Sequence, residues 1–437
     1  MKKWSIVALL GISLAAICLG SIIAFIPVAG RVFSGGFQWN LLSGNSISAE
    51  AEEELRAPVD GPATLVINTP FGNVEINAVE EGREIVIRAR KTAWGTNRQS
   101  AEELLQKTKI VMVQDGNEVK VYVDQPVEVD LLHIGPAGVG VDFTVSVPVD
   151  CAVEASSSSG NLFLNGTAGD ANLHSSFGGV TIENVRGKII AGTSSGDVTL
   201  KAIRAGDESV EASSSFGEVE VLDSKGGALK AKTSSGDVTV EDSVFSGRAD
   251  VSSSFGDVEA AGLQAGSIEA QTNSGKVVLH GLVIEKELIA HSDFGDVEVL
   301  DSSADSYDLD TDSGKVTAED TRGRVKARSG FGDINVRGTD VLLDLNTNSG
   351  SIRFSGSLGA GTSILHTNFG DIDVRLPSDA SFLFDLSTNF GDVECGFSAV
   401  TSRSDSTHLE GTAGEGGPML EASTNSGSIS VQPQSAG

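Results

Sequence analysis

Thr233-Ser234-Ser235-Gly236-Asp237-Val238-Thr239-Val240, preceded by Ser213-Ser214-Ser215-Phe216-Gly217-Glu218-Val219-Glu220-Val221, decides the fold, because the same phrase returns down most of the chain. Its glycines are Gly160, Gly178, Gly196, Gly217, Gly236, Gly256, Gly275, Gly295, Gly314, Gly332, Gly350, Gly370 and Gly391. Twelve intervals cover 231 residues, a mean of 231/12 or about 19, and none departs from it by more than two. A fixed period near 20 marks a stacked repeat in which each unit contacts its neighbours, rather than one globular core.

Inside each repeat the apolar residues alternate. Leu229, Ala231 and Thr233 lie at odd offsets before Gly236, and Val238 and Val240 at even offsets after it. A period of two is a strand, and the change of phase at Gly is a corner between two strands. Glycine suits such a corner because a sharp turn commonly needs positive φ. The residue before the glycine is Ser in the repeats at Gly160, Gly196, Gly236, Gly275, Gly314 and Gly350, and Phe177, Phe216, Phe255, Phe294, Phe331 and Phe369 in those between. It shares the phase of the inward residues, which places each ring inside the corner, with Ser and Phe alternating from layer to layer. A coil of about 38 residues, with Phe stacked on Phe, is the competing arrangement. Phe390 follows Phe369 with no Ser repeat between them, so the stack is expected to change shape there.

Composition agrees with a rod. The chain has 437 residues, 52 of them Gly, 5% aromatic residues and a formal charge of −29. A solenoid lengthens by adding rungs without enlarging a single core. The acidity excludes nucleic acid and anionic lipid surfaces as direct partners, since both require basic patches.

Working outward, residues 1–3 read as a cytoplasmic tail. The apolar run 4–29 is long enough for a transmembrane helix, with Lys2 and Lys3 on the cytoplasmic side and the rest of the chain extracytoplasmic. A cleaved signal peptide is the competing reading of this run. Leu14-Ala15-Ala16-Ile17-Cys18 is a poor lipidation site because Ile17 stands where a small residue is wanted. Residues 30–60 read as a stalk, with a short helix at Glu50 to Leu55. Residues 61–150 read as a β-rich N-terminal cap. It holds a degenerate repeat at Leu65 to Ile76, strands at Glu84 to Arg90, Lys109 to Val113, Glu118 to Val123 and Asp142 to Val147, and one helix at Ser100 to Lys107 capped by Asn97 or Ser100. Residues 151–431 are the repeats and 432–437 a polar tail, with Thr401 to Pro418 a degenerate rung carrying a loop. Cys151 and Cys395 sit near opposite ends of the repeats and read as buried thiols.

Phe143-Thr144-Val145-Ser146-Val147-Pro148-Val149, running into Ala155 to Leu162 and then many Ser-Gly-Asp-Val phrases, resembles the bacterial "putative adhesin" family of β-solenoid domains over about Gly61 to Val431. The resemblance implies a right-handed extracytoplasmic β-solenoid, often membrane-anchored, and carries over no catalytic residue.

The acids one place after the glycine are Asp197, Asp237, Asp257, Asp296, Asp333, Asp371 and Asp392, with Glu218 in the same slot. Stacking would bring them into a file. They read either as turn acids facing water or as ligands for Ca²⁺, and no other cofactor is expected. The Gly-Gly-x-Gly-x-Asp signature of calcium-binding β-rolls is absent, and Lys276 and Lys315 interrupt the file. Trp4, Trp39 and Trp94 lie outside the repeats, and no rung gathers a compact acid, base and aromatic set, so a polysaccharide-active enzyme is the lesser reading. Ser- and Thr-rich corners, with Asn273, Asn348, Asn368, Asn389 and Asn425, read as hydrogen-bonded ladders. The expectation is an all-β, right-handed β-solenoid of ~19-residue rungs, with an N-terminal cap and one transmembrane helix. It would act as a non-catalytic adhesin-like module meeting an envelope glycan or protein, or as a homo-oligomeric scaffold joined end to end.

Overall fold

A computed structural model describes residues 47–125 and 138–434. Successive repeats lie on one another as parallel strands in register. Leu229–Ser235 pairs with the next rung so that Leu229 faces Ala249, Ala231 faces Val251 and Ser235 faces Phe255. Val238–Glu241 pairs likewise, Val238 with Val258 and Val240 with Ala260. A short third side pairs Lys225 with Val244 and Gly226 with Phe245. Each rung of about 19 residues is therefore one lap, and the coil of about 38 is ruled out because Phe rungs pair directly with Ser rungs.

The alternation read from the sequence fills the interior. Val219, Val221, Leu229, Ala231, Val238, Val240, Val258 and Ala260 are buried, and the equivalent residues of other rungs continue one core along the rod. Burial of such side chains supplies the main favourable term for folding.

A second corner recurs after the shorter strand. Asn184, Ala202, Asp223, Asp242, Asp301 and Asp320 have φ between 44° and 56°, and Gly262 and Gly281 stand there with φ of 62° and 65°. Asn, Asp and Gly tolerate this left-handed conformation, whereas an alanine pays for its Cβ. Ala202→Asn is accordingly expected to stabilise the protein by about 0.5–1 kcal/mol, read as a higher midpoint in urea unfolding.

Both ends are irregular. At the N-terminal end, Ala63–Phe71 and Val74–Val79 form a rung on Cys151–Ser159 and Leu162–Asn165. Its other side is covered by Glu118–Asp124 and Gly138–Pro148. The expected stalk helix at Glu50 to Leu55 is corrected: Ile47–Pro58 is a strand, antiparallel to Glu84–Gly95, which in turn pairs with Gly138–Pro148. Its alternating exposed and half-buried residues suit a sheet margin rather than a helix. The helix is Arg98–Lys107, capped by Asn97, whose side chain accepts from the Ser100 N–H at 2.9 Å. It buries Ala101 against that ribbon.

At the C-terminal end the order in space departs from the order in sequence. Met419–Ser426 lies between Thr362–Phe369 and Phe382–Phe390, parallel to both. Ile429–Pro433 likewise enters between Ile372–Leu376 and Val393–Cys395. The intervening chain makes an antiparallel hairpin, Ala399–Ser404 with His408–Ala413, the latter antiparallel to Phe382–Phe390. Thr401 to Pro418 is thus an out-and-back cover and not a degenerate rung.

The membrane helix is also corrected. Among the described residues no helix is long and apolar enough to cross a membrane, and the helix at Arg98–Lys107 is part of the cap. The run 4–29 to which that expectation attached lies outside the described residues. The described residues form an all-β solenoid with a β-rich cap at its start.

Candidate functional site

The Gly corner is where exposed chemistry collects, and its geometry follows from one problem: the strand ladder breaks there, leaving backbone groups to be satisfied. The glycine N–H is kept in the ladder, as Gly256 N–H donates to the Ser274 carbonyl of the next rung at 3.1 Å. The glycine carbonyl accepts from the hydroxyl three places before the next glycine, as Thr272 Oγ1 does to Gly256 O at 2.8 Å. The following N–H turns to the acid: Lys276 N–H donates to Asp257 Oδ1 at 2.7 Å. The phrase Ser/Thr-x-x-Gly-Asp therefore spells out the partners of one broken ladder step.

The hydroxyl part recurs throughout. Ser214, Thr233, Ser253, Ser292, Thr311, Ser329, Thr347 and Thr367 each donate to the glycine carbonyl of the rung before, at 2.8 to 2.9 Å. These hydroxyls bond to backbone carbonyls rather than to one another. Thr272 is 1% exposed, so Thr272→Val leaves a buried carbonyl without its donor. A loss of about 1–3 kcal/mol is expected, measured as a lower urea midpoint. The amide ladder does form among four of the five asparagines: Asn368 donates to Asn348, Asn425 to Asn368 and Asn389 to Asn425, at 2.8 to 2.9 Å.

The predicted acids are brought into the expected file, in which Lys276, Lys315, Ser351 and Ser428 take the slot on the rungs between. Asp197, Asp237, Asp257, Asp296, Asp333 and Asp371 each accept the N–H of the residue one rung on, at 2.7 to 2.9 Å. Asp392 ends the file on the outer rung, its N–H donating to Ser428 Oγ at 3.3 Å. Burial pushes the Asp333 carboxyl up, but the Arg353 guanidinium at 2.8 Å and the Ser351 N–H outweigh it and hold the group below its ordinary value. Among the described residues no group of three or more His, Cys, Asp or Glu is placed to hold a metal ion. The water-facing and calcium readings differ in one measurable way: only the second makes the melting temperature depend on calcium against chelator.

The phenylalanines overturn the expectation that they fill the corner. Phe216 and Phe255 are each 65% exposed and Phe390 is 77% exposed, and Phe177, Phe294, Phe331 and Phe369 are exposed as well. Pairing between rungs lapses at the residue before each ring, and the interior of the corner is already taken by the buried hydroxyl and the carbonyl it serves. The ring is left outside. In space the file is regular to the end, because Ser426 stands between Phe369 and Phe390. The missing Ser repeat is the inserted C-terminal rung.

Elsewhere the surface offers little enclosure. One shallow depression, of about 620 Å³, is lined by Asp320, Arg337, Ser355, Arg375 and Gln434 among others. Cys151 is buried, and desolvation pushes its thiol up to about 11, so it stays protonated at neutral pH.

No curated protein matches the sequence. A crystal structure of a "putative cell adhesion protein" from Clostridium sporogenes ATCC 15579 aligns at 8% identity over 88% of this chain and 100% of that one, with a TM-score of 0.16. That of a "putative adhesin" from Bacteroides fragilis NCTC 9343 aligns at 13% identity over 71% and 96%, with a TM-score of 0.25. The Toastrack DUF4097 family model matches residues 72–280 and 225–432, which together span the whole repeat stack and bear out the resemblance read from its phrases: the chain belongs to the Toastrack DUF4097 family.

Proposed function

We propose that the chain is a non-catalytic, adhesin-like module of the cell envelope that binds by an extended face. The observation that carries this reading is the exposed file beside the Gly column, in which a Phe with its acid returns at every second lap and offers a repetitive partner many similar contacts. The acidic charge favours a neutral or cationic partner over an anionic one.

The test is co-sedimentation of the full chain with isolated cell envelopes, with the same mixtures assayed for new reducing ends and unsaturated sugars. Saturable co-sedimentation without sugar products is the expected result. Product formation would replace this reading with a polysaccharide-active enzyme. End-to-end self-assembly has one observation in its favour: the margin strand Ala399–Ser404 is largely exposed, with Val400 at 80%. Concentration-dependent growth in light scattering would establish it.

A further inference from the structure

We propose that the Phe-Gly-acid file is the seat of an extended β-1,4-linked glycan carrying free amino groups, one unit of the file meeting each disaccharide. The proposal deepens the adhesin-like reading and rests on it. Six successive Phe rungs each carry an acid two residues on: Phe216 with Glu218, Phe255 with Asp257, Phe294 with Asp296, Phe331 with Asp333, Phe369 with Asp371 and Phe390 with Asp392. The six rings are 62 to 77% exposed. Single exposed apolar residues need no explanation, but an aligned series of rings on an acidic rod is the signature of an interaction surface.

The pitch narrows the partner. In-register pairing sets Ser235 between Phe216 and Phe255, and Ser426 between Phe369 and Phe390; with one lap per rung, rings recur every second rung, ~9.6 Å apart. In a ribbon-like β-1,4-linked chain each sugar advances by close to one strand spacing, and the same ring face returns at every second sugar. A Phe then stacks under one sugar of each pair, while the small Ser leaves room for the other. Such a glycan is also stiff, so a short stretch of it meets two or three successive rings before the two spacings drift apart.

Charge narrows it further. Each of these Phe rungs carries an acid; Asp333 is paired with Arg353 and Lys276 and Lys315 stand on two of the rungs between, but the other five acids and the −29 of the whole chain leave the file net negative. Amino groups on the glycan answer that charge, whereas a second copy of this chain brings more of the same sign. A polyproline helix turns every ~9.3 Å, close in pitch, but its proline nitrogens have no proton to offer the carboxylates.

The experiment titrates the full chain with a soluble β-1,4-linked glucosamine decamer, its fully N-acetylated form, a cello-oligosaccharide and a cationic proline-rich peptide. Binding is expected to be tightest for the glucosamine decamer and to weaken with salt. Phe255→Ser with Phe294→Ser, which copies the neighbouring rungs, is expected to weaken it about tenfold with an unchanged melting curve. Asp257→Asn with Asp296→Asn keeps the corner acceptors and is expected to flatten the salt dependence. The proposal is overturned by no binding of the decamer, by equal binding in the serine variant, by preference for the peptide, or by a dimer that the serine variant dissolves. Envelope co-sedimentation that persists without decamer binding sinks this assignment alone; loss of both sinks the adhesin-like reading too.

Discussion

Gly256→Ala is expected to lower stability by at least about 3 kcal/mol, enough to cost a large part of a marginal fold. Two causes add. Gly256 has φ of 155°, a backbone region that L side chains rarely adopt. A Cβ built there also overlaps the Gly236 carbonyl oxygen, a backbone atom with no freedom to move away. The same overlap recurs along an unbroken column from Gly72 through Gly160 and Gly178 to Gly370, Gly427 and Gly391. Close approach of one lap to the next, rather than φ alone, is thus what demands glycine. Gly281→Asp supplies the contrast: its φ is 65°, its Cβ would meet one atom at 3.9 Å, and the next rung already holds Asp301 in that conformation. Little or no loss is expected there. Urea unfolding of both variants measures the difference, and equal losses would refute the column as the source of the glycine requirement.

Removal of residues 419–437 is expected to have the second large effect, exceeding what loss of a terminal strand costs in an ordinary repeat protein. In a regular solenoid the last rung touches one neighbour. Here Met419–Ser426 is paired on both sides, so its loss opens two strand edges and separates Phe382–Phe390 from the stack. Open parallel edges are templates for association. Six side-chain hydrogen bonds at the corner go with it: Thr424 to Gly370, Thr388 to Gly427, Asn389 to Asn425, Asn425 to Asn368, Ser428 N–H to Asp371 and Asp392 N–H to Ser428. Light scattering should show aggregation of the shortened chain at concentrations where the full chain stays dispersed. A monomeric shortened chain with an unchanged melting curve would show the inserted rung to be dispensable.

Much of this was legible in the sequence, for physical reasons that also explain the failures. The interval of about 19 survived as the lap length because a glycine corner leaves a mark whenever backbone passes close to backbone. The acids fell into their file because position after Gly is a local property. The rings were misplaced because strict alternation was carried past the point where the strand bends. One signal pointed the right way: a closed corner whose neighbours hardly change cannot accept both Phe and Ser, whereas a surface can. The second failure was topological. The lapse between Phe369 and Phe390 was visible, and so was Ser426 in its own phrase, but nothing local says that a later segment returns to fill an earlier gap.

The unbroken Phe and Ser alternation has a consequence for how such a chain changes length. Duplicating one repeat would set two like rungs side by side, whereas duplicating a pair, such as the 39 residues from Gly217 to Gly256, preserves the pattern. With both ends closed by unique segments, genetic gain or loss is confined to the interior. Where a partner reads the ring spacing, natural variants should therefore differ by even numbers of laps, making the repeat number a ruler marked in twos.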